Sequence, residues 1–190
     1  MPLPRFAVVD VETSGLSDRR HRILQLGAVI IEADGTVIDQ WSTLVRLRWP
    51  LQSVGPTHIH GLTRPMLRGA PRLSTALDQL APLLDGAIFT AHNAQFDAGF
   101  IVRATHRRAG FELGPQLCTL RMSRQLDPDR QMSHRLVDVA ERYGVDLTAP
   151  HDALADAAAT AAVLPHLLAA HHIVEPEQLD PFFVGSKRPQ

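Results

Sequence analysis

Cysteine occurs once in these 190 residues, at Cys118. An internal disulfide is therefore excluded, and the core must stand on apolar packing, as in proteins of a reducing compartment. Lysine also occurs once, at Lys187, so 18 of the 19 basic residues are arginine. Arginine use on that scale reflects genome base composition more than function. Aromatic residues make up 5% of the chain, with two Trp and one Tyr. That is too few for an extended platform on which bases stack. No run approaches the roughly 20 apolar residues of a membrane helix, and the N-terminus lacks a basic segment followed by an apolar one. The expectation is a cytoplasmic protein with no membrane partner. Net charge is −1, so no molecule-wide field attracts a polyanion, and any such surface must be local.

What is present reads as ordinary globular composition, 45% hydrophobic and 21% charged, at a length suited to one domain. The first apolar run, Phe6 to Val9, leads into Asp10-Val11-Glu12. Its β-branched residues predict a buried strand, and alternation puts Asp10 and Glu12 on one face. Two anions about 4 Å apart repel by about 4 kcal/mol at an effective dielectric near 20. A core strand keeps both ionised only with a cation between them, and hard oxygen ligands favour Mg²⁺ or Mn²⁺ over Zn²⁺.

Strand and helix signals then alternate. Ile23 to Glu32 and Thr36 to Val45 flank the hairpin signal Ala33-Asp34-Gly35. Ser74 reads as the cap of a helix to about Leu84, and Ala87 to Ala91 as another buried strand. Helices are expected over Asn93 to Ala109 (closed by Gly110), Arg121 to Gln125, His134 to Tyr143 and His151 to Ala170. Asp127 and Asp129, around Pro128, read as a solvated turn. Such an order predicts an α/β fold with a mixed sheet covered by helices.

Two later segments complete the picture: His92-Asn93-Ala94-Gln95-Phe96-Asp97, and His151-Asp152-Ala153-Leu154-Ala155-Asp156. With Asp10 and Glu12 they form the ordered set Asp, Glu, Asp, His, Asp. Over roughly residues 5 to 168 the chain resembles the DnaQ-like (DEDDh) 3′–5′ exonucleases, which include the proofreading exonuclease of bacterial DNA polymerase III. The resemblance implies a ribonuclease-H-like fold with a mixed five-stranded sheet flanked by helices. It implies that Asp10, Glu12 and Asp156 hold a first divalent cation, that Asp10 and Asp97 help hold a second, and that His151 is the general base. Two cations suit in-line phosphodiester displacement, and an imidazole suits proton transfer at neutral pH. The implied substrate is the 3′ end of single-stranded nucleic acid, DNA favoured over RNA, and the implied setting is proofreading or repair, with a DNA polymerase or sliding clamp as partner.

Small Ala153, Ala157 and Thr160 share a helix face with Asp156, which would let that helix approach the sheet closely. Asp152 reads as a helix cap, and His92 and Asn93 as holding local structure. Thr13, Ser14 and Gly15 follow the acidic pair, where amides and a hydroxyl would grip the terminal nucleotide. His60-Gly61-Leu62-Thr63 resembles a family segment that borders the terminal base or sugar. The clusters Arg19, Arg20, Arg22 and Arg103, Arg107, Arg108 are candidates for phosphate contacts. Cys118 departs from the family pattern, which often has Asp there. A dehalogenase-type phosphatase would need Asp-x-Asp and a central lysine, a P-loop enzyme a lysine in its loop, and a non-catalytic binding module would be free to lose one of the five residues. An RNA-trimming member of the same family is the remaining alternative. Residues 1–172 read as the exonuclease domain and 173–190 as a tail. In that tail, Gln178-Leu179-Asp180-Pro181-Phe182-Phe183 resembles a clamp-binding peptide, or else packs back on the domain.

Overall fold

A computed structural model describes residues 2–49, 51–106, 113–147, 149 and 151–185. Strand β1 (Arg5–Thr13) is the middle of the design. It pairs antiparallel with β2 (Ile23–Ile31), which is buried along its whole length, and β2 pairs antiparallel with β3 (Val37–Leu44). After β3 come two single-turn helices, α1 (Thr57–His60) and α2 (Arg64–Leu67), then α3 (Leu73–Leu84) and strand β4 (Ala87–Ala91). β4 runs parallel to β1 from Arg5↔Ala87 to Val8↔Thr90 only. Beyond Val8 the edge of β1 is left open, and α4 (Ala94–Thr105) starts against it.

The remainder is β5 (Gln116–Cys118), α5 (Thr119–Gln125), α6 (Leu136–Arg142), α7 (Ala153–Ala170), a 3₁₀ turn at Pro176–Phe182 and β6 (Phe183–Val184). The sheet has six strands in the order β3-β2-β1-β4-β5-β6, one more than expected. β5 and β6 are three and two residues long, too short for an alternating pattern to show in sequence.

Alternation along β1 divides the core. Phe6 and Val8 meet Ala157, Ala161 and Leu164 of α7, whereas Val9 and Val11 meet Leu77 and Leu80 of α3 and Ala98 and Ile101 of α4. Helix α7 is apolar and long enough to cross a membrane by composition, but half of it is buried inside the fold, as in a core helix. Residues past 172 are continuous with this core. Leu179 and Phe182 are buried in it, Phe182 tilts against His171 at 4.5 Å, and β6 extends the sheet beside β5.

Three local expectations need correction. Helix α3 begins at Leu73 with Arg72 at its cap position, so Ser74 lies inside its first turn. Asp127 is buried and accepts hydrogen bonds from the amides of Met132 (2.8 Å) and Gln131 (3.0 Å), with His134 Nε2 at 3.1 Å. Those amides, and then His134, hold its carboxyl below the usual range, so it is an anchored turn rather than a solvated one. Helix α6 is shorter than expected, starting at Leu136. The expected stop of α4 at Ala109 and Gly110 lies outside the described residues.

Candidate active site

The acidic residues converge because three elements end at one place. Asp10 and Glu12 stand on the α7 face of β1, with Gly27 and Gln25 as their register partners on β2. Asp97, in the first turn of α4, is buried, and its Oδ1 accepts the amide of Val11 at 3.1 Å. That bond fills part of the β1 edge that β4 leaves unpaired, locking the carboxyl beside Asp10 and Glu12. Asp156 comes from the first turn of α7.

Two residues without an assigned role in the sequence hold α7 at this point. A Cβ on Gly27 would stand 2.6 Å from Leu154 N and closer still to Ala153 O, so only glycine lets the start of α7 lie on β2. Gln25, also buried, donates from Nε2 to Asp152 Oδ2 at 2.8 Å and accepts the Ala153 amide at 3.4 Å. Asp152 itself caps α7, its Oδ1 accepting from Leu154 N and Ala155 N at 3.1 Å each. An isolated glycine and a glutamine inside an otherwise apolar strand were the available signals.

Glu12, His151 and Asp156 each offer a ligand atom within 4.8 Å of the others. His151 has φ +68°, a left-handed conformation uncommon outside glycine, and its amide donates to Asp156 Oδ2 at 3.1 Å while the residue itself is exposed. The other carboxylate oxygen, Asp156 Oδ1, is buried with no hydrogen-bond partner among the described residues. Burial, with repulsion from Asp97, Asp156, Glu12 and Asp152, raises the Asp10 carboxyl well above its ordinary range. Burial followed by the Asp156 and Asp152 charges pushes Glu12 up to about 8. Burial also pushes Asp97 up to about 8, against the opposing pull of the Val11 amide. Asp156 is raised too, chiefly by burial. Four carboxyls that resist ionising together, one with an orphaned buried oxygen, fit hard divalent cations.

The expected substrate contacts are placed nearby but are engaged within the protein. Thr13 Oγ1 donates to Gly15 O at 2.9 Å, and Ser14 Oγ accepts the Arg22 amide at 3.0 Å. Gly15 packs its open face on the His21 ring. Gly55 fits against the Ser14 carbonyl where a side chain would collide, which brings the segment containing His60 to the end of β1. His60 is buried, its Nδ1 accepting the Leu62 amide at 3.0 Å and its Nε2 facing Val54 O at 3.1 Å. His92 bridges Thr119 Oγ1 (3.0 Å) and His134 O (2.9 Å), the local structural role expected of it, and Asn93 takes the left-handed turn before α4. Of the second arginine cluster, Arg107 and Arg108 lie outside the described residues.

Comparison with known proteins places this geometry. A family model described as "Exonuclease" matches residues 7–164. DNA polymerase III of the PolC type from Lacticaseibacillus paracasei is 36% identical over 162 residues, covering 84% of this chain. The same polymerase from Staphylococcus haemolyticus is 37% identical and covers 82% of it. The chain spans 11% of the length of these curated relatives. Among solved structures, Exonuclease X in complex with 5′ overhanging duplex DNA is similar at 27% identity and TM-score 0.66, over 92% of this chain and 96% of that one. The E. coli Exonuclease I complex with a dT13 oligonucleotide shares the fold at TM-score 0.71 and 19% identity, over 86% of this chain and 41% of that one. The chain belongs to the exonuclease family, with the DnaQ-like set of four carboxylates and a histidine drawn to one end of its central strand.

Proposed function

We propose that this chain is a 3′–5′ exonuclease that removes nucleoside monophosphates from single-stranded DNA ends, in proofreading or repair beside a DNA polymerase in the cytoplasm. The observation that carries the reading is the acidic cluster around the orphaned Asp156 Oδ1, with His151 at its rim. Asp10, Glu12, Asp97 and Asp156 would hold two divalent cations, Mg²⁺ or Mn²⁺. When bound, the pair supplies activation of water and charge stabilisation at the leaving oxygen.

The protein's own residues account for the rest. His151 is exposed and hinged at a left-handed residue, so its imidazole can take the proton of the attacking water. Thr13 and Ser14, tied into the loop by their hydroxyls, and His60, with both ring nitrogens engaged, shape the wall that the terminal nucleotide meets. Similarity to polymerases of the PolC type, and to a nuclease solved with DNA, supports DNA over RNA. A sliding clamp is not needed for this reading, because Leu179 and Phe182 are core residues.

Single-stranded DNA and RNA oligomers of one sequence, labelled at the 5′ end, test it with Mg²⁺, Mn²⁺ or EDTA. Stepwise shortening of the DNA with either metal and none in EDTA is expected. Faster trimming of the RNA would move the chain to the RNA-trimming branch, and internal cuts would exclude an exonuclease.

A further inference from the structure

On the other face of the sheet from Asp10 and Glu12 lies an open groove of about 1110 Å³. Eight arginines line it: Arg19 and Arg22 from the loop after β1, Arg46 and Arg48 from the segment after β3, Arg64, Arg68 and Arg72 around α2, and Arg103 from α4. Asp18 is the one acidic residue in the lining. Among the described residues, no ion pair joins any of the eight to a carboxylate. This is no run of charges on a solvated helix. Four separate stretches of chain, in a protein of net charge −1, bring like charges to a concave surface. Such convergence costs electrostatic energy unless an anion enters.

The floor has a chemistry of its own. Half-buried Leu47, Leu73 and Ala104 make it apolar over the buried Ile23, Val45, Leu67 and Phe100, and Trp49 stands exposed at the rim with the Arg48 guanidinium 5.1 Å over its ring. Arginines around an apolar floor with one open indole suit a strand that carries phosphates outside and bases inside. The groove also starts where the active site ends. Ile23 is the register partner of Thr13, and Phe100 is three residues past Asp97 on α4. From Asp97 to Arg103 is about 9 Å of helix axis, at 1.5 Å per residue.

We propose that this groove binds the phosphodiester backbone of the substrate strand upstream of its 3′ end, so that the exonuclease prefers strands long enough to pass Thr13–Gly15 and enter it. The proposal rests on the nuclease reading above for the identity of the strand. It does not rest on catalysis, because binding can be read alone.

The test uses the variant Arg46→Gln/Arg68→Gln/Arg72→Gln, none of whose positions touches the acidic cluster. Fluorescence anisotropy of labelled 20-mer and 4-mer single strands is measured in EDTA over a range of NaCl. On a single strand, each phosphate that the protein no longer neutralises lowers the salt slope by about 0.7. The 20-mer should bind at least tenfold more weakly in the variant, with a shallower salt slope, and the 4-mer unchanged. With Mg²⁺, KM for the 20-mer should rise by the same factor while kcat on the 4-mer holds. Unchanged 20-mer binding overturns the proposal and leaves the groove to an acidic protein surface. Equal weakening on both lengths overturns it as well, since the arginines would then serve the active site or the fold. Strand binding without hydrolysis in the wild type would sink the nuclease reading and spare the groove.

Discussion

At Asp10 the chain places a carboxyl beside three others, and among the described residues no cation balances it. Removing one charge should therefore have opposite effects on activity and stability. Asp10→Asn should abolish hydrolysis, and in EDTA it should raise the melting temperature by about 2–4 °C, the shift expected for about 1 kcal/mol in a domain of this size. Parallel nuclease assays and thermal melts check it, and an unchanged or lower melting point in EDTA would contradict the repulsion. His151 contributes differently, since the residue is exposed and reaches Asp156 first through its amide and then through its side-chain charge. His151→Ala should lower kcat by about 10²–10⁴ and leave the affinity for Mn²⁺ nearly unchanged. Wild-type turnover in the alanine variant at pH 7 would move the base elsewhere. As candidates, Asp10 and Glu12 could be picked out from strand alternation, and Asp97, His151 and Asp156 from motifs that resemble those of the family. Gln25 and Gly27 stand out in the sequence only as a polar residue and a glycine in an apolar strand, and their role lies in what crosses them.

Elements meet through contacts that no single segment reveals. The start of α7 lies on β2 at Gly27, with backbone atoms on the far side that cannot rotate away. Gly27→Ala should cost about 3 kcal/mol, the upper part of the range for overpacking. It should also cut activity on the order of 10²-fold, since a shift of about 1 Å in a catalytic group has that effect. Chemical denaturation and the nuclease assay read the two separately. Full activity would mean that α7 can lift without carrying Asp156 away. At the other end of the chain, Phe182 packs under the sheet with Leu179 and against the His171 ring. Phe182→Ala should destabilise by about 3–5 kcal/mol. Loss of clamp affinity with unchanged stability would contradict that packing. Helices and long strands were legible from period, although the cap signal at Ser74 falls inside α3, whereas β5 and β6 exist through their partners and have too few residues to announce themselves.

The whole molecule couples its acidic site to pH and metal. Glu12 and Asp97 are pushed up to about 8 in the fold, chiefly by burial, from 4.5 and 3.8. Between those values the folded chain holds more protons than the unfolded one, so stability falls as pH rises from about 4 to about 8. Urea midpoints in EDTA should therefore be higher at pH 5 than at pH 8. Saturating Mn²⁺ should remove or reverse the slope, because the metal needs the ionised carboxylates. Equal midpoints at both pH values in EDTA would show that the carboxyls are not held protonated by the fold. By itself the sequence determined the strand and helix alternation, written in local period, and named five candidate site residues through motifs that resemble those of the family. Only the tertiary structure decided how closely the start of α7 lies on β2, that the tail belongs to the core, and that eight arginines scattered over 85 positions from Arg19 to Arg103 share one groove. Those are distances between segments remote in sequence, which packing and register set and local composition does not encode.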